Sequence, residues 1–251
     1  MDWHGVKEPI AWMAVMENIK NFFKTDESYR EQLDKYDKLD GMLAILYFVL
    51  FMAAYYFMGC IMREKGIYLG LYCNAVLALV PIGIVLLRKQ KLSSLGLTGG
   101  KIKQAVLFSG VLGVLFLAIG GILPGVLAGA ELNQLTVILY NIFYYFIIIG
   151  LVEEIAFRGF IQTRIYGLIK NDIAAVLVTA VMFALMHIPF QMAVYQMGLG
   201  QYFMTVFLGN MPFLILWHIV FNFMQRKFNS IYGNTVFHGF MDLCSGLFLG
   251  K

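Results

Sequence analysis

The chain has 251 residues, 60% of them hydrophobic and 14% charged, with a formal net charge of +4 and a mean hydropathy of +0.75. A water-soluble domain of this size could not cover so much apolar side chain with polar surface, so the composition excludes an ordinary soluble fold and points to one bundle in lipid. No basic block interleaved with aromatics argues for a nucleic-acid partner, and three cysteines (Cys60, Cys73, Cys244) without a Cys-x-x-Cys pair exclude a disulfide framework or a thiolate zinc site.

In chain order, the opening MDWHGVKEP lacks the basic-then-apolar order of a cleaved signal peptide. Residues 9–24 are apolar but interrupted by Glu17 and Lys20, which predicts an amphipathic interfacial helix. Residues 25–40 form a charged stretch of helical spacing, so 1–40 reads as a cytosolic and interfacial segment. Residues 41–251 read as an all-α, polytopic transmembrane helix bundle of about seven spans. The spans are predicted near 41–62, 67–87, 104–128, 135–157, 171–189, 203–225 and 230–249. The helical pattern of 134–170 corresponds to about 55 Å at 1.5 Å per residue, so this segment is either strongly tilted or broken near Gly150.

Charge sets the orientation. With the N-terminus in the cytosol, sixteen Lys and Arg fall in inside segments and three (Arg63, Lys65, Lys251) outside. The positive-inside rule then places the N-terminus in the cytosol and the C-terminus on the opposite side.

A charge at the bilayer centre costs about 2.5–3.5 kcal/mol, so charged residues within spans are functional candidates. Three clusters qualify. In Glu153-Glu154-Ile155-Ala156-Phe157-Arg158, Glu154 and Arg158 are four apart and share a face, which leaves Glu153 without that partner. A desolvated, unpaired carboxylate suits a general base; the plain alternative is a structural Glu-Arg clamp. In Phe183-Ala184-Leu185-Met186-His187, the His stands as far beyond Lys170 as Glu153 stands before it, which places both at one depth in an antiparallel pair. A satisfied core histidine is its plain alternative. The third cluster, His238-Gly239-Phe240-Met241-Asp242, again has i,i+4 spacing and could equally be a His-Asp packing contact. His218 and Asn222 form a rival pair one helix earlier.

Glu-Glu-x-x-x-Arg, then Phe-x-x-x-His, then His-x-x-x-Asp, in this order on consecutive helices, resembles the CPBP (CAAX protease and bacteriocin-processing, or Abi) intramembrane peptidases. The resemblance covers about 150–242, within an expected peptidase core at about 134–249. It implies a metal-independent glutamate peptidase without a cofactor, in which Glu153 and His187 activate a water. On this pattern Glu154 and Arg158 support the site, and His238 with Asp242 serves the oxyanion. Asp242 stands where the family more often has Asn, and an ionised Asp cannot donate a hydrogen bond. Relatives act on prenylated proteins or secreted peptides or confer bacteriocin immunity, so the implied partners are the lipid bilayer and a peptide or lipidated protein substrate. Nothing in the residues sets an oligomeric state. Three alternatives remain: a zinc version using Glu153, His187 and His238, an inactive scaffold or immunity-type regulator, and a proton-coupled transporter.

Overall fold

The structure, a computed structural model, describes residues 8–249 except 98. The first seven residues, which hold most of the stretch read for a signal peptide, lie outside the described residues, as does Lys251. Regular structure among the described residues is helical, apart from one bridge pairing Leu132 with Phe248. Two short helices, α1 (Glu8–Phe22) and α2 (Glu27–Asp34), precede α3 (Lys38–Lys65), α4 (Gly70–Leu87), α5 (Ile102–Leu127) and α6 (Leu135–Gly167). Then follow α7 (Asp172–Leu185), α8 (Ile188–Tyr195), α9 (Leu199–Phe228) and α10 (Tyr232–Gly246).

Six units among the described residues are long and apolar enough to cross a membrane: α3, α4, α5, α6, the α7–α8 pair and α9. Their outward side chains, such as Leu46, Phe57, Leu107 and Ile119, are exposed, a surface that suits lipid and not water. The seventh expected span is α10, whose 15 residues make only about 22 Å at 1.5 Å per residue. It packs between α5 and the middle of α6 instead of standing alone in lipid. The expected N-terminal amphipathic helix is α1, with Trp12, Met13, Met16 and Ile19 exposed and its end anchored where Phe22 and Phe23 meet Phe223.

Of the two expectations for 134–170, the break near Gly150 does not occur. Helix α6 runs 33 residues without interruption, but it widens into π-helical turns at Tyr144–Leu151 and Glu154–Ile161. Such turns insert extra residues into an α-helix and recur at functional sites. Gly150 serves packing: a Cβ there would come within 3.3 Å of the Thr235 carbonyl of α10. Gly239 answers from α10, where a Cβ would meet the Phe146 ring at 2.4 Å. These two glycines let the helices approach closely enough to bring their polar side chains together.

The acids of the N-terminal segment neutralise the basic ends of the bundle. Asp37 and Asp40 form a capping box at the start of α3 and both bind Arg88, at 2.9 and 3.2 Å. Lys101 pairs with Asp26 at 2.8 Å. On the same side Asp172 takes Arg226 at 2.7 Å and Arg30 of α2 at 3.3 Å. Backbone hydrogen bonding from Asp40, joined by the Arg88 guanidinium, holds the Asp37 carboxyl below its ordinary range. Partial burial pushes Asp26 upward, but hydrogen bonds from Lys101 and Ser28 and the Lys101 charge outweigh it, and the net shift is downward.

Candidate active site

The site forms where α6, α7, α9 and α10 meet. Glu153 and Glu154 lie at the junction of the two π segments of α6 and are both buried. Arg158, one turn on, is wholly buried and pairs with Glu154 Oε1 at 3.2 Å, the i,i+4 contact that the spacing predicts. Its guanidinium is stacked between two rings, 4.2 Å from Phe183 of α7 and 4.5 Å from Phe221 of α9. Weak hydration of the planar cation and attraction to the ring faces suit it to this slot.

His238 of α10 enters the same cluster. Its Nδ1 lies 3.0 Å from Glu154 Oε1, the very oxygen that holds Arg158. Its Nε2 faces Glu153 Oε2 at 3.8 Å and Asp242 Oδ2 at 3.7 Å, and the ring stacks on Phe221 at 5.2 Å. Three carboxylates thus surround one imidazole. Glu153 Oε2 has no hydrogen-bond partner within the protein. Asp242 is the most accessible of the group, with about a third of its side chain exposed.

His187 caps the start of α8, at the turn after α7. Its Nδ1 lies 2.9 Å from the Phe183 carbonyl, so the ring donates there and carries its lone pair on Nε2. Phe183 therefore does two jobs: its ring braces Arg158 and meets the His187 ring edge-on at 5.2 Å, while its carbonyl orients that His. Among the described residues no hydrogen bond or ion pair joins His187 to Glu153. The structure unites Glu153, Glu154, Arg158, His238 and Asp242 directly, and brings His187 alongside through Phe183.

The rival histidine is committed elsewhere. His218 Nε2 lies 2.8 Å from Gln162 Oε1 and 3.1 Å from Thr179 Oγ1, in a wholly buried network with no contact to either glutamate. Gln162 and Thr179 escaped notice in the sequence, although a polar residue inside an apolar run is the available signal. Phe221 also escaped notice, because nothing in the spacing of an aromatic reveals that it will carry a cation on one side and an imidazole on the other. Among the described residues no group of three or more His, Cys, Asp or Glu side chains is placed to hold a metal ion, and Glu153, His187 and His238 do not form such a set.

Residues 133–244 match the family model described as Type II CAAX prenyl endopeptidase Rce1-like. No curated protein and no solved structure matches the chain. The matched stretch spans every residue of the cluster, and with six membrane-length apolar helices among the described residues the chain is an integral multi-pass membrane protein. Residues 133–244 are thus similar to an Rce1-like CAAX protease domain, consistent with an intramembrane endopeptidase of the CPBP family.

Proposed function

We propose that the protein is a metal-independent glutamate peptidase that hydrolyses a peptide bond in a membrane-associated peptide or lipidated protein. Its core lies at about 134–249, with the N-terminus in the cytosol and the C-terminus opposite. The reading rests above all on the convergence of Glu153, Glu154 and Asp242 around His238, within the residues that match a protease family.

In this mechanism a water sits between Glu153 and Nε2 of His187. Glu153 takes a proton as the water oxygen bonds to the scissile carbonyl carbon, and His187 orients the water through its lone pair. The carbonyl oxygen gains negative charge and faces Nε2 of His238. Donation from there requires both ring nitrogens to carry hydrogen, and Glu154 accepts the bond from Nδ1. Asp242, at 3.7 Å from Nε2, orients the ring and has no need to donate. When the tetrahedral carbon collapses, the C–N bond breaks and Glu153 returns its proton to the departing amine. Arg158, at 3.2 Å from Oε1, holds Glu154 in place.

The test is precursor processing by wild-type, Glu153→Gln and His187→Ala proteins at matched expression. Glu153→Gln keeps the shape and removes the base, with an expected loss of at least about 100-fold in cleavage. Undiminished processing in both variants sinks the proposal and returns the cluster to a scaffold role.

A further inference from the structure

A seam of buried amides runs from the end of the bundle that carries the N-terminal segment to the candidate active site. On α9, Asn222 and Gln225 recur at helical spacing toward Asn229, which follows the helix, and on α10 Asn234 stands one turn before His238. All five are at most 8% exposed. Asn234 donates to the Phe221 carbonyl at 2.9 Å, which sets the two polar files side by side. Yet Asn222 Nδ2, both polar atoms of Gln225, Asn229 Oδ1 and Asn234 Oδ1 have no hydrogen-bond partner within the protein.

The seam has an outer mouth and an inner end. Asn229 lines a cleft of about 580 Å³ together with Ser94, Gly99 and Gly100. Beneath it Gly96, at φ +71°, holds the backbone against Gln225, where a Cβ would lie 2.9 Å from Nε2. At the inner end stand Arg158, with its Nε and Nη2 unbonded, and Glu153 Oε2.

Amide groups at membrane depth need partners, and hydrocarbon offers none. Groups three or four residues apart on one helix face are separated by about 5–6 Å, the span that a single water bridges with two hydrogen bonds. A buried water requires two or more polar partners, and the unbonded amide atoms of the file are available to supply them. We infer that this seam holds a file of ordered waters and delivers the hydrolytic water from the Asn229 cleft to Glu153. The inference rests on the peptidase reading for the use of that water, but not for its presence.

Hydroxyl-radical footprinting of the unmodified protein in phosphatidylcholine nanodiscs tests it. Phe221, one turn from Gln225, and Phe51 are both at most 1% exposed, so accessibility alone gives them equal oxidation. Bound water in the seam makes Phe221 oxidise at least about fivefold faster. Gln225→Leu fills the path with apolar atoms, and it is expected to remove that excess and lower turnover about tenfold without changing KM. Leu216→Ala, on the lipid-facing side of α9, leaves both readouts alone. Equal oxidation of Phe221 and Phe51 in the unmodified protein overturns the seam, whether or not Gln225→Leu folds. Persistent Phe221 oxidation in folded Gln225→Leu protein overturns the route. Glu153→Gln separates the two readings: it keeps the footprint and loses cleavage, whereas retained cleavage defeats the peptidase and leaves the footprint standing.

Discussion

Glu154 Oε1 receives both Arg158 and His238, so a single oxygen ties the ion pair of one helix to the imidazole of another. Removing a buried partner leaves an uncompensated charge, and that costs about 3–5 kcal/mol. Glu154→Leu is therefore expected to lower thermal stability in detergent markedly as well as abolish cleavage, whereas Glu153→Gln loses cleavage with its melting temperature nearly intact. That split in melting curves separates a supporting glutamate from a reacting one. At the same scale, a mechanism carried by Glu153, His187 and His238 without a metal predicts that prolonged treatment with 1,10-phenanthroline leaves cleavage of a peptide substrate unchanged. Loss that zinc restores would transfer these three side chains to a metal centre.

The elements bring these residues together by close approach, and two glycines make that possible. Gly239→Val forces a side chain into the Phe146 ring and pushes α10 from α6, for an overpacking cost of about 1–3 kcal/mol. The expected signature is a fall in turnover larger than the fall in stability, measured as kcal/mol of barrier against kcal/mol of unfolding, because His238 moves with its helix. Pairs within one helix were legible from spacing: Glu154 with Arg158, and His238 with Asp242, are contacts of 3.2 and 3.7 Å. The contact between Glu154 and His238, across 84 positions, was not, because periodicity describes each helix face and says nothing of which faces meet. Equal depth suggested a pairing of Glu153 with His187, but the turn after α7 gives His187 its own carbonyl to bond, and depth alone does not determine ring direction. The π turns were equally silent, since no residue pattern in the sequence marks them.

At the level of the whole molecule, hydropathy revealed six long helices, while the shortness of α10 was hidden by apolar residues that continue beyond its end. Part of the charge in residues 25–40 is also explained by assembly, since Asp26, Asp37 and Asp40 serve as counter-ions for Lys101 and Arg88. Because the Asp26 and Asp37 carboxyls titrate below the ordinary 3.8, their pairing stabilises the docked segment fully above that pH. It is lost as pH falls further, through the folded-state values. Anisotropy of a fluorophore at Glu31→Cys is expected to stay flat from pH 7 to about 4 and to drop below that; a drop centred near pH 6 would point to a histidine instead.

These ion pairs also impose a timetable. The segment that fastens the bundle is made first, yet its fasteners, Arg88, Lys101 and finally Arg226 with Asp172, leave the ribosome much later. The N-terminal acids therefore wait only until Arg88 and Lys101 have been made, but Arg30 of α2 shares Asp172 with Arg226, so the clasp shuts fully only once residue 226 is in place. A nascent chain arrested before residue 226 should hold its spans in the bilayer but leave its opening segment loose and open to proteolysis.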